Sequence, residues 1–99
     1  MALPVLSPPL LVLASLADGP KHGYAMIEDI ERMTGVTLGA GTLYGAISRL
    51  EESGLIQPLR PSERRQPYRI TAAGHRELRD RAEAMASFAG AALRRLEAR

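Results

Sequence analysis

GTLYGAISRLEESGLI, Gly41 to Ile56, decides how this chain is read. At 3.6 residues per turn, Leu43, Ile47 and Leu50 fall on one side of a helix and Tyr44, Gly45 and Ser48 on the other. A solvated helix face in a small domain is usually filled with Glu, Lys, Gln and Arg, which favour the helix and make no packing demands. This face carries almost none of them. Glycine in an exposed helix interior costs roughly 1 kcal/mol relative to alanine, so a face bearing Gly41 and Gly45 needs something to offset that cost.

Working outward, the helix spans about 40–53 and stops at Gly54. A short extended link, Val36-Thr37-Leu38, joins it to a preceding helix over about 22–34, with Met26, Ile27, Ile30 and Met33 at helical spacing. Gly35 suits the left-handed exit of that helix. Upstream, Ser7 followed by Pro8 is a helix start, because the hydroxyl accepts an orphan N–H and proline has none to lose. The helix it opens runs over about 8–17. Its leucines and valine cover most of its circumference, more than one core-facing stripe requires. Downstream, 55–60 and 67–71 are the plausible strands, joined by the polar Pro61-to-Gln66 connection. Prolines at 58, 61 and 67 predict an edge ribbon. Thr71 then caps a last helix that extends to the end of the chain.

On that last helix Leu78, Ala82, Met85, Ala89, Ala92 and Leu96 are spaced 4, 3, 4, 3 and 4, a heptad seam. A helix of ~28 residues is about 40 Å long, more than a domain this small covers by itself. The seam therefore needs a second surface. With Leu10 and Leu13 of the first helix it forms the predicted dimer interface.

Composition narrows the chemistry. At 99 residues the chain makes one modest core. With no cysteine, disulfides, thiolate metal sites and cysteine nucleophiles are excluded, in keeping with a reducing, cytoplasmic setting. Leu10 to Ala14 is far short of the ~20 apolar residues of a membrane span. It also lacks the basic flank and processing site of a secretory signal. The net charge of +2 divides unevenly: residues 1–53 hold three basic and six acidic side chains, residues 54–99 ten and five. A basic rear suggests a surface that meets a polyanion, although solvated charge on a long helix yields the same asymmetry.

Helix, helix, helix and two-stranded ribbon, in that order, is the arrangement of a winged helix-turn-helix, whose third helix enters the DNA major groove. Small side chains let a helix lie against base edges and the sugar-phosphate chain, and short hydroxyls donate to phosphate or bases. Two glycines alone read as close helix packing. Joined to Tyr44 and Ser48 opposite the apolar stripe, and followed by Arg64 and Arg65 at the ribbon's tip, they read as a DNA-facing surface. The fold class is thus mainly α with a small β-hairpin: a winged helix-turn-helix over 1–71 and a long C-terminal dimerisation helix over 72–99.

Three segments, LASLADGPKHGYAMIEDI, GTLYGAISRLEESGLI and RRQPYRITAAGHREL, together resemble the PadR family of transcriptional regulators over Leu13 to Leu78. The resemblance implies a homodimeric cytoplasmic repressor that releases its operator when a small molecule or other signal alters the dimer, and two third helices on successive major-groove faces imply a pseudo-palindromic site. It implies DNA contacts from Gly41, Thr42 and Tyr44, a phosphate near Tyr24, and wing contacts from Arg64 and Arg65. Lys21 and His22 beside Tyr24, with Gly45, Ser48 and Arg49 on the third helix, complete the candidate DNA-binding set. The short C-terminal region is similar to the subgroup in which a single helix swaps against helix 1 of the other subunit. This chain departs from the family in carrying Gly45 where proline is common, Gly39 where a hydroxylated N-cap is common, a shorter wing and Pro67. No extended N-terminal arm is expected.

Catalysis fails on inventory. His22 and His75 read as cap or surface residues, and no phosphate loop, zinc spacing or nucleophile elbow occurs. No enzyme activity, cofactor or metal is expected. The remaining rival is a winged helix that binds protein without DNA. For an apolar effector, Met85, Phe88 and Leu93 are candidate lining, with dimer core as the plainer reading of the same residues.

Overall fold

The computed structural model describes residues 6–98. It contains α1 (Pro8–Leu16), β1 (Lys21–His22), α2 (Gly23–Thr34), α3 (Ala40–Glu52), β2 (Ile56–Pro58), β3 (Pro67–Ile70) and α4 (Ala72–Glu97). The first five residues of the expected 1–71 unit, the question of an N-terminal arm, and Arg99 at the end of 72–99 lie outside that range.

The helix ends follow local chemistry. Ser7 Oγ accepts from Leu10 N at 3.3 Å and Pro8 is the first residue of α1. Gly35 closes α2 at φ 78°, and Thr71 Oγ1 accepts from Gly74 N at 3.1 Å to open α4. Thr71 also donates its hydroxyl to the Gly54 carbonyl at 2.7 Å, which anchors the start of α4 to the end of α3. Gly74 completes that junction: a Cβ there would stand 2.7 Å from Ile70 Cγ1 and closer still to the Leu55 carbonyl oxygen.

The core gathers around α1, which packs on α2, α3, α4 and β3. Leu11, Val12, Leu13 and Leu16 meet Met26 and Ile30 of α2 and Leu43, Ala46, Ile47 and Leu50 of α3, with Leu38, Ile56 and Ile70 closing the ends. The unusual apolarity of α1 is thus largely satisfied within its own chain. Leu13 is 2% exposed, which removes it from the expected dimer interface; Leu10 stays half-buried at the edge. Ser15 is buried too, and its hydroxyl donates to Asp29 Oδ2 at 2.7 Å, so α1 and α2 are joined by a polar contact within an apolar seam.

The sheet corrects the edge-ribbon expectation. Its order is β1-β3-β2, so β3 is the central strand, with Lys21 opposite Tyr68 and His22 opposite Pro67 on one side and Ile56 opposite Ile70 on the other. Pro67 is tolerated there because it is the first residue of the strand. Its carbonyl accepts from Leu59 N at 2.9 Å and from Gln66 Nε2 at 2.8 Å, and Gln66 Nε2 also donates to the Leu59 carbonyl at 2.7 Å. One glutamine side chain ties the base of the wing.

Helix α4 leaves the domain after its first turns. Gly74 is its one buried residue among those described, and Leu78 and Met85 are half-covered. Phe88, Leu93 and Leu96 stand exposed, by 74%, 58% and 75%. At 26 residues α4 is about 39 Å long, within a molecule measuring 58 × 28 × 20 Å.

Candidate nucleic-acid interface

The buried stripe of α3, Leu43, Ala46, Ile47 and Leu50, turns the opposite side of the helix outward. Tyr44 is 49% exposed, and Gly41, Thr42, Ser48 and Arg49 are exposed with it. Gly41 has nothing within 4 Å of where a Cβ would stand, and Gly45 has only Arg49 Nη1 at 3.8 Å. Close packing within the chain therefore accounts for neither glycine. Gly39 begins α3 without a side-chain cap, so its first-turn amides are not covered by a side chain of their own chain. The C-terminal end of the same face is acidic, because Ser48 lies beside Glu51 and Glu52. An anion thus meets the first two turns of α3 favourably and the last turn unfavourably.

Beside that face lies a cleft lined by His22, Gly23, Tyr24, Tyr44, Arg64, Arg65 and Gln66. His22 is the N-cap of α2, and its Nδ1 accepts from Ala25 N at 3.3 Å. The other ring nitrogen, Nε2, lies 3.1 Å from Arg65 Nη1. The guanidinium beside the ring and the free amides of the α2 N-terminus together favour an anion in this space. Tyr24, 67% exposed on the first turn of α2, borders the same space.

The wing tip presents the second arginine. Ser62 and Arg65 pair through two backbone hydrogen bonds of 3.0 and 2.8 Å, and the two residues between them, Glu63 at φ 50° and Arg64 at φ 65°, are both left-handed. This is the backbone of a tight hairpin turn that usually selects Asn-Gly. Here the two positions carry a strained Glu-Arg pair.

Lys21, expected at the DNA, is turned inward. Its ammonium donates to the Ser15 carbonyl, lies 2.5 Å from Asp18 Oδ1 and 3.9 Å from Asp29 Oδ2, and its side chain is 18% exposed. The hydrogen bond and charge of Lys21 hold the Asp18 carboxyl below the usual carboxylate range. Lys21 therefore clamps the turn between α1 and α2.

The model of the PadR-like family of transcriptional regulators matches residues 12–80. The chain belongs to that family. A Streptomyces fradiae protein, described as an uncharacterized 37.1 kDa protein in transposon TN4556, is 47% identical over 81 residues. Those residues are 82% of this chain and 24% of the relative, so the chain spans about a quarter of that protein's length. Among solved structures, a transcriptional regulator from Clostridium thermocellum superposes with a TM-score of 0.78 at 28% identity, covering 88% of this chain and 87% of the other. A PadR family transcriptional regulator from Eggerthella lenta gives 0.75 at 30% identity, covering 92% and 82%.

Three residues in or beside this site were not legible in the sequence. Gly23 lies under Tyr44, Gln66 ties the wing, and Tyr68 sits half-buried on β3. Burial, then the charges of Glu51 and Tyr44, raise the Tyr68 phenol above its ordinary value. The HGY block contained the one available signal, a glycine between two candidate contact residues. The effector candidates do not converge. Met85 lines an apolar cleft of about 180 Å³ with Leu10, Ala14, Met33, Leu78 and Ala82. Phe88 and Leu93 lie outside it, about 140° apart around α4 at 100° per residue. Among the described residues no group of His, Asp or Glu is placed to hold a metal, and no described helix is long and apolar enough to cross a membrane.

Proposed function

We propose that the chain is a cytoplasmic homodimer that binds a pseudo-palindromic operator and represses transcription until a signal alters the dimer. The observation that carries this reading is the open, small-residue face of α3 around Tyr44, next to a cleft where the α2 N-terminus, His22, Arg64 and Arg65 converge. In this reading Tyr44, Gly41, Thr42 and Gly45 meet the groove, His22, Tyr24 and Arg65 hold a phosphate, and Arg64 follows the backbone beyond it. Ser48 and Arg49 mark the boundary of contact, since Glu51 and Glu52 repel the strand further on.

The uncovered seam of α4 supports dimerisation. Met85, Ala89, Ala92 and Leu96 continue the line that begins at Leu78 and Ala82, and the cleft beside Leu10 is ready to be closed by a second copy. At about 180 Å³ that cleft is below the size of an ordinary small-molecule site in one subunit. An apolar effector would therefore bind between subunits, with Met85 the candidate lining residue that the fold favours.

Two measurements test the reading together. Sequencing the DNA fragments retained by the protein in cells should return an inverted repeat. Affinity for that duplex, followed against salt, should fall steeply as counterions displaced by several phosphate contacts return. A flat salt dependence with no enriched sequence would favour the rival, a winged helix docking on another protein.

A further inference from the structure

We infer that Gly23 is a positioning residue for Tyr44: with no side chain at the first position of α2, the tyrosine ring lies across the start of that helix and is held in one orientation. The inference rests on the proposed role of α3 and names what presets its tyrosine. A Cβ on residue 23 would stand 2.8 Å from Tyr44 Cζ and 3.2 Å from Cε1, and nearer still to the hydroxyl oxygen. The aromatic ring moves as one body, so its end yields only when the whole ring turns. With Cζ and the hydroxyl on the χ2 axis, the ring clears a methyl only by turning about χ1.

Backbone geometry is not the reason for glycine here. The positive-φ glycines are Gly19, Gly35 and Gly54, and Gly23 is not among them. It opens a regular helix, where alanine has the better propensity. The three glycines inside α2 and α3 therefore divide into two uses. Gly41 and Gly45 border open space and leave room for something outside the chain, whereas Gly23 is buried and leaves room for Tyr44. A half-exposed tyrosine on an exposed helix would otherwise sample several rotamers. Seating one face of the ring against α2 removes that freedom before binding, which is how preorganisation raises affinity.

The test joins a structural readout to a double-mutant cycle on duplex affinity. In the wild-type protein, NMR should show contacts between the Gly23 Hα protons and the Tyr44 ring, with those protons shifted upfield by the ring current. Gly23→Ala should displace the ring and weaken operator binding roughly ten- to hundred-fold, the range of one good base contact. In the Gly23→Ala/Tyr44→Ala double variant, which has no ring to clash, binding should be no weaker than in Tyr44→Ala alone. Absence of the wild-type ring contact, wild-type affinity in Gly23→Ala, or multiplying losses in the double variant would each overturn the assignment. Should the chain bind no duplex at all, the role of α3 falls. The seat is then judged by NMR, where a displaced ring in Gly23→Ala supports it and an unmoved ring overturns it.

Discussion

A methyl group at position 45 meets only the end of the Arg49 side chain, in ordinary van der Waals contact at 3.8 Å. Gly45→Ala should therefore stabilise the protein by about 0.5–1 kcal/mol through helix propensity, measured as a rise in the denaturation midpoint. In the same variant the operator should bind more weakly, because the added methyl enters the space reserved for the groove. Opposite signs for stability and affinity are the mark of a glycine kept for an external partner. At this scale Tyr44 and its face were legible in the sequence, since a 3.6-residue period separates them from Leu43, Ile47 and Leu50 without further information. Lys21 was not. Its charge is visible, but the turn that brings it back to Ser15, Asp18 and Asp29 is a tertiary fact. Gly23 was hidden for a similar reason, because the ring it accommodates arrives from another helix.

Among the elements, the wing is the one in which strain and charge coincide. Arg64 holds φ 65° in a position that favours glycine. Arg64→Gly should raise stability by up to about 1 kcal/mol, yet lower affinity for every duplex and reduce the salt slope by about one. Fluorescence anisotropy across a salt series reads both. The helices and the hairpin were readable because caps, glycine exits and apolar periods agree at most boundaries. Strand β1 was not, since two residues carry no period and its pairing with β3 depends on a segment far along the chain. That omission also concealed the central place of β3. For α4, Met85→Asp puts a charge into the seam between Leu78 and Leu96 and should yield monomers in sedimentation velocity, while a persisting dimer would move the interface elsewhere. Alanine at half of the seam buries little area per residue, so the dimer should be sensitive to this single change.

For the whole molecule, the uneven charge noticed in the sequence resolves into separate uses. Arg64 and Arg65 point from the wing toward the α2 cleft, Arg69 pairs with Gln57 at 2.7 Å within the sheet, and Arg81 pairs with Glu77 at 2.9 Å on α4. The basic rear is thus partly the lining of the candidate interface and partly ordinary surface. Two copies joined along α4 would carry their third helices to major-groove faces about 34 Å apart, which sets the expected half-site spacing. The apolar cleft under Met33 and Met85 was not legible from the α4 seam alone, because helices α1 and α2 supply more than half of its lining. The proposed DNA binding turns on the tyrosine face of α3, and operator affinity of Tyr44→Ala, measured beside its thermal midpoint, tests that most directly. The prediction is a loss of about 1–3 kcal/mol in binding with folding and dimerisation unchanged. Undiminished affinity, or a variant that no longer folds, would contradict it.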